Sequence, residues 1–282
     1  MDSGKILHIV KNTVLYILMV LLAVVFLAPI VIMFLRSFMT QDQIYIEELL
    51  FPKTFNFDNY IAAFDTAFIG YLLNTLFVLV FNMIGVPLTA AMCAYSFCKL
   101  EYKGRDILFG CVLATLMLPS IVVQVPTYVI YYRLGWIDTF LPLIIPPFLG
   151  GGAINIFLIR QFMKGIPADV TNAAKIDGAG AIRIFIQIVV PLCKMILIYI
   201  AVTAFLGTWN DFMTPLLYIF DESKYTLAIG VYYKMIEGFQ AFYYPPNVKM
   251  ATGVILMIPP MILFCFFQKQ IVEGVASAGL KV

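Results

Sequence analysis

Residues 14–35 contain no charged side chain. A bilayer's hydrocarbon core takes about 20 apolar residues in helical form, so this one run is long enough to cross it. Five further apolar runs follow, at residues 71–97, 107–132, 140–162, 184–209 and 250–267. Composition agrees: 62% of the 282 residues are hydrophobic and 12% are charged, against about 25% charged in soluble domains. A water-soluble fold of this length leaves much of its surface wet and has nowhere to place so much apolar side chain. That excludes an ordinary soluble enzyme, a nucleic-acid-binding protein and a disordered chain. The pattern predicts an all-α membrane protein with six transmembrane helices. Lys5 and Lys11 precede the first run, as in a signal peptide. The run is longer than a signal's usual core of about 7–15 residues, and no small-residue cleavage pattern follows Pro29. It reads as a retained anchor.

Lys and Arg set the orientation, because cytoplasmic loops retain them. With the N-terminus inside, the inner side holds Lys5, Lys11, Lys99, Lys103, Arg105, Arg160, Lys164, Lys175, Arg183, Lys194, Lys269 and Lys281. The outer side holds only Arg36, Lys53, Arg133, Lys224, Lys234 and Lys249. This two-to-one bias predicts a multi-pass protein with both termini cytoplasmic. The first outer loop is acidic, with Asp42, Glu47, Glu48, Asp58 and Asp65. Its aromatic stretch, Phe51 with Pro52 and residues 55–60, reads as a packed cap.

Catalytic and cofactor signatures are missing. There is no GxxxxGK[ST], HExxH or GxSxG. The five cysteines (Cys93, Cys98, Cys111, Cys193, Cys265) are scattered through apolar sequence, and His8 is the single histidine. That is neither a zinc set nor a disulfide framework. Gly178-Ala179-Gly180 carries Arg183 where a dinucleotide fingerprint needs its last glycine, and no strand precedes it. The runs are almost free of Asp and Glu, so no buried-carboxylate proton relay is present. Energy for uphill movement would have to come from another chain.

Residues 165–183 break the apolar pattern. Pro167 suits the first turn of a helix, and Asp169 favours its N-terminal dipole. Val170, Ala173, Ala174 and Asp177 recur at helical spacing, and Gly178 suits a left-handed cap. The expectation is a short helix with a small-residue face, a sharp turn, and a second helix entering the membrane. Such a face suits either close docking or an interfacial helix without a partner.

Asn172-Ala173-Ala174-Lys175-Ile176-Asp177-Gly178-Ala179, closed by Pro191-Leu192, resembles the cytoplasmic "EAA" loop of bacterial ABC-importer permeases. That loop has the pattern E-A-A-x-x-D-G-A followed by a helix ending in Pro. Further stretches resemble the maltose-type sugar branch: Arg36-Ser37-Phe38, Phe51-Pro52 with Asn59-Tyr60, Asn74-Thr75, Leu118-Pro119, residues 157–162 with Ile166-Pro167, and Trp209-Asn210-Asp211. The tail adds Phe266-Phe267-Gln268-Lys269, Gly274 and residues 279–281.

The resemblance covers nearly the whole chain and implies a type I ABC importer permease fold in the bacterial cytoplasmic membrane. It implies a non-catalytic subunit that imports sugars or oligosaccharides, with no cofactor of its own. The implied partners are a second homologous permease, two ATPase subunits that hold ATP and Mg, an extracytoplasmic solute-binding protein and membrane lipid, with no nucleic acid. In the maltose-type system the other permease makes most sugar contacts. Residues 165–183 would be the coupling loop, with Pro167, Asp169, Asn172, Ala173, Ala174, Asp177, Gly178 and Ala179 at the ATPase. Ala173, Ala174 and Gly178 would make the closest contact. Asn172 stands where the family usually has Glu, replacing an anion with a neutral amide, and Asp169 or Asp177 could supply charge nearby.

Asn74, Asn82, Gln124, Asn155 and Asn210 interrupt the apolar runs. Such groups either bond between helices or line a path for a hydroxylated solute. Asn82, Gln124, Asn155, Asn210 and Trp209, a stacking surface, are the path candidates. Tyr128, Tyr131 and Tyr132 read as interface-belt residues, and Pro119 and Pro126 as a bend or a static kink. The rival reading, a stand-alone secondary transporter of a small polar solute, would want ionisable residues mid-membrane or paired broken helices, of which the sequence offers little beyond the run at 140–162.

The charge bias generates a direct test of orientation. Cysteines placed at Lys103 and Lys175 should react with a membrane-impermeant maleimide only from the cytoplasmic side, and one at Asp58 only from outside. The reverse labelling would invert the topology.

Overall fold

The computed structural model describes residues 3–45, 51–237 and 244–279. Glu47, Glu48 and Lys281, used above in the charge pattern, lie outside the described residues. The chain runs α1 (Ser3–Arg36), α2 (Gln41–Tyr45), α3 (Asp58–Ala63), α4 (Thr66–Lys99), α5 (Arg105–Ala114) and α6 (Ser120–Arg133). It continues with α7 (Leu141–Ile144), α8 (Ala153–Lys164), α9 (Ala168–Ile176), α10 (Ala181–Ile184), α11 (Val190–Leu192) and α12 (Lys194–Trp209). The last helices are α13 (Met213–Tyr218), α14 (Leu227–Tyr232) and α15 (Pro246–Gly279), with no strand among the described residues. Four stretches are long and apolar enough to cross a membrane: Val10–Arg36, Thr66–Lys99, Leu141–Lys164 and Pro246–Val272. Two bent pairs, Arg105–Met117 with Ser120–Arg133 and Ala181–Leu192 with Lys194–Trp209, raise this to as many as six.

The bends have local causes. The first pair turns by 104° where Leu118 and Pro119 leave helical geometry, with ψ of 118° and 132°. Pro126, by contrast, sits inside unbroken α6. The second pair turns by 79° at Cys193. Pro191 has no N–H to donate back into the helix, and the preceding turn, Phe185–Val189, is π-helical, a widening that commonly accompanies such breaks. The run at 140–162 is likewise interrupted: α7 gives way to a tight turn at Pro146–Phe148 and to left-handed Gly150, Gly151 and Gly152 before α8.

Two compact units divide the chain. The first comprises the described residues of Met1–Asp65 and Glu237–Pro259. Here α1 presents apolar side chains all round, with none of its most apolar window buried, as suits a lipid solvent. Residues 36–39 and 55–60 pack at its end. The Phe38 ring meets Phe34, Phe55 and Phe57 edge-on at 5.2–5.4 Å. Asn59 Nδ2 donates to the Ser37 and Met39 carbonyls (2.8 and 2.9 Å), and Asn247 Nδ2 donates to Asn59 Oδ1 at 2.7 Å.

The second unit, Thr66–Ile236 with Pro260–Val282, is organised on α4. Ala90, Ala91 and Ala94 are almost fully buried. They bring α4 close to Ile156, Ile159 and Met163 of α8 and to Ile196 and Ile200 of α12. At its N-terminal end, Tyr71 Oη donates to Glu222 (2.8 Å), Asn74 Nδ2 to the Ser223 and Tyr225 carbonyls, and Leu227 N–H to Thr75 Oγ1 (2.7 Å). At its other end, Lys99 Nζ donates to the Ile166 carbonyl (3.0 Å) and Arg160 Nε to the Phe97 carbonyl (3.1 Å). The buried Arg160 guanidinium also lies 4.0 Å over the Phe109 ring, a contact worth on the order of 2 kcal/mol when desolvated.

Gly151 shows how tight the packing on α4 is. Its φ is +66°, and a Cβ there would collide with the Val86 carbonyl oxygen and the Ala90 side chain. Gly151→Ala combines overpacking with backbone strain and should cost about 2–4 kcal/mol. Gly104→Ala, equally left-handed at +84° but with open space around the Cβ, should cost only about 1 kcal/mol. Unfolding titrations in detergent micelles would show equal losses if close packing on α4 were unimportant.

Candidate functional site

α9 is built by its termini. Pro167, with φ −54° and ψ 136°, precedes the first turn, and Asp169 lies within it. The helix ends in a two-bond cap: Gly178 N–H donates to the Lys175 carbonyl (3.1 Å) and Ala179 N–H to the Ala174 carbonyl (2.9 Å). This pairing needs a left-handed residue between helix and exit, and Gly178 supplies it with φ +77°. Ala174 and Ala179, the two residues bracketing the cap, pack against the core below. Asn172, Ala173, Asp177 and Gly178 stand exposed. So do Val170, Ile176 (86% exposed) and Ile182 (75%). The eight coupling candidates therefore share one short element. Two of them, Ala174 and Ala179, seat it, and Asn172, Ala173, Asp177 and Gly178 form its outer surface.

The five path candidates separate. Asn82 of α4 and Gln124 of α6 line one cavity of about 370 Å³, together with Ser120, Thr127, Tyr131, Asp211, Thr214 and Tyr218. The other three have their side chains engaged one helical turn back. Asn155 Nδ2 donates to the Gly151 carbonyl (2.7 Å) and Asn210 Nδ2 to the Leu206 carbonyl (2.9 Å). Buried Trp209 stacks on Phe205 at 5.7 Å. Asn82 Nδ2 donates to Thr208 Oγ1 at 3.0 Å. Asp211 Oδ1 accepts the Thr214 N–H at 3.0 Å at the start of α13. Sequence reasoning missed Asp211, Thr127, Thr214 and Tyr218 as lining residues. The available signal for Asp211 was an Asp three residues before Thr, just past an apolar run, which is a helix-start pattern. Of the tyrosines read as belt residues, Tyr131 and Tyr128 form an aromatic wall: Tyr131 stacks on Trp136 (5.3 Å), and both rings contact Tyr218. Tyr132 is exposed.

Tyr218 is held by a polar latch. Asp138, left-handed at φ +59°, donates its N–H to the Tyr218 carbonyl (2.7 Å). Its Oδ1 accepts the Phe220 and Asp221 N–H groups (3.0 and 2.9 Å). Lys224 Nζ closes the latch on Asp138 Oδ2 (3.0 Å) and reaches Asp221 at 3.5 Å. The Asp221 N–H holds the Asp138 carboxyl below the usual carboxylate range, helped by Lys224 and the Phe220 N–H. Ser223 does the same for Asp221 through its hydroxyl and N–H. Among the described residues no three His, Cys, Asp or Glu side chains are placed to hold a metal ion.

Residues 85–277 match the family described as the binding-protein-dependent transport system inner membrane component. The chain belongs to this family. It is a membrane-embedded transport permease and not an enzyme. It is similar to the diacetylchitobiose uptake system permease protein NgcG of Streptomyces coelicolor, at 30% identity over 94% of this chain and 87% of that one. It is also similar to the trehalose/maltose transport system permease protein MalG of Thermococcus litoralis, at 27% identity over 97% and 98%. In fold it matches a solved chain of a bacterial ABC transporter involved in the import of the acidic polysaccharide alginate, with a TM-score of 0.83, 23% identity, and 95% and 98% of the two chains covered.

The latch should make stability at one end of α4 depend on pH. Both carboxyls have folded-state pKa values below their unfolded ones. Their contribution to stability is therefore complete above the ordinary carboxylate pKa of about 4 and is lost as pH falls through the depressed values. The thermal midpoint should fall on acidification from about pH 6 to about pH 3. Asp138→Asn should start lower at neutral pH and show a flatter fall. An identical pH profile for the two proteins would contradict the latch.

Proposed function

We propose that this permease imports sugars or oligosaccharides through the bacterial cytoplasmic membrane. It does so as one of two homologous permeases, driven by two ATPase subunits and supplied by an extracytoplasmic solute-binding protein. The near full-length match to permeases named for diacetylchitobiose and for trehalose/maltose uptake carries this reading. The geometry of α9 supports the energetic half of it. A capped helix whose outer surface bears Val170, Ile176, Ala173 and Gly178 is built to enter a cleft, and α10 leads from it toward α12. Both termini are assigned to the cytoplasm, on the side of α9, by the basic residues around it. ATP and Mg belong to the ATPase partners, since this chain has no phosphate-binding loop. Asn172 sits on the exposed surface of α9, so docking there proceeds through shape more than through an anion at that position.

Gly178 gives the test. A Cβ at this position has nothing of this chain within 4 Å, so the cost within the fold is about 1 kcal/mol of left-handed strain. The larger effect falls on a docked partner. Gly178→Asp should insert normally yet lose ATP-driven sugar uptake by at least about tenfold, a loss of about 1.4 kcal/mol of coupling or docking. The ATPase should either detach or hydrolyse ATP idly. Asn172→Glu and Gly180→Ala should transport near the wild-type rate. Wild-type uptake by Gly178→Asp in proteoliposomes would remove α9 from the coupling role.

A further inference from the structure

Asn82 of α4 and Gln124 of α6 bring two amide residues to the cavity beside α4. Asn82 is 8% exposed and its amide nitrogen is committed to Thr208, yet its Oδ1 is buried without a hydrogen bond. That oxygen is enclosed within the fold and closed to the cavity, so the Asn82 amide serves to tie α4 to Thr208, and the groups a ligand can reach are the other lining residues. Gln124 offers an amide with both donor and acceptor. Thr127 gives its proton to the Val123 carbonyl (2.7 Å) and keeps its lone pairs. Asp211 spends Oδ1 on the Thr214 N–H, leaving Oδ2 for a ligand hydroxyl. The rings of Tyr131 and Tyr218, fixed against each other at 5.2 Å, form one wall. Hydroxyl partners beside an aromatic face are what a sugar ring requires, because its two surfaces are C–H and its edge is O–H. The volume of about 370 Å³ is near the lower end of ligand pockets, roughly 300–1,000 Å³, and fits a short sugar unit rather than a long chain.

Asp211 is the one charged side chain among the described residues lining this cavity. A fixed carboxylate in a partly desolvated site repels a second carboxylate strongly. Resting on the sugar-import reading above, we infer that this cavity is a sugar subsite on this chain that accepts uncharged rings and rejects uronates. The selectivity resides in Asp211 and the ring recognition in Gln124, Thr127 and the tyrosine wall.

The probes are methyl glucoside and the corresponding methyl glucuronoside, which differ by a carboxylate at one carbon. They are titrated by saturation-transfer NMR into the purified transporter complex without binding protein. Wild type should favour the glucoside by at least about tenfold. Asp211→Asn keeps the Oδ1 that caps α13, so the fold is retained, and it should bring the two affinities to within about twofold. Gln124→Leu should weaken both by about tenfold. Equal binding of the two probes by wild type, or an unchanged ratio in Asp211→Asn, overturns the subsite. Uptake by the wild-type complex in proteoliposomes, run in parallel, separates the two claims. ATP-driven sugar uptake with no probe binding in the cavity overturns the subsite alone, whereas absence of sugar uptake overturns the import reading on which it rests.

Discussion

Lipid tails give apolar helices no hydrophobic reason to associate, so this bundle depends on how closely α4 lets its neighbours approach. Ala90, Ala91 and Ala94 remove the side-chain bulk from its packed face, and Gly151 removes the last Cβ from the turn that crosses it. The approach is then filled by Ile156, Ile159, Ile196 and Ile200. Dispersion between well-matched surfaces, small per contact and large in sum, holds α4 to α8 and α12. Polar bonds fix the register where packing alone would permit sliding. Asn82 to Thr208 ties α4 to α12, and the carbonyl contacts of Lys99 and Arg160 tie it to α8 and the segment leading to α9.

The two candidate regions hang from opposite ends of this scaffold. The cap of α9 rests on the core through Ala174 and Ala179, near the end of α4 marked by Phe97 and Lys99. The chain then passes through α10, the π-helical turn and α11 into α12, whose far end carries Thr208 beside Asn82 and is followed by Asp211 of the cavity. α12 thus leads from the π-helical turn and α11 to the segment that carries Asp211.

Much of this was legible in the sequence where the determining interactions are local. Pro167, Asp169 and Gly178 specify a short capped helix by themselves, because a helix terminus is satisfied within one turn. The bend at Pro119 was legible as a candidate for the same reason, while Pro126 is absorbed by an intact helix. The cavity was only partly legible. Asn155, Asn210 and Trp209 had the right chemistry but spend it on residues four positions earlier, a choice that spacing does not reveal. Asp211, Thr127 and Tyr218 come from segments brought together by the bend at Pro119 and by the Asp138 latch, so their proximity is a product of tertiary structure. Apolar runs located the helices, but the breaks at residues 118–119 and 193 show that a hydropathic run need not be one straight helix.

The most direct measurement is uptake of radiolabelled neutral oligosaccharide into proteoliposomes containing the permease pair, its ATPase subunits and the binding protein. Accumulation should require both ATP on the α9 side and binding protein on the other, and should persist when proton and sodium gradients are collapsed by ionophores. Accumulation driven by either ion gradient with ATP absent would contradict the account and identify the chain as a secondary transporter.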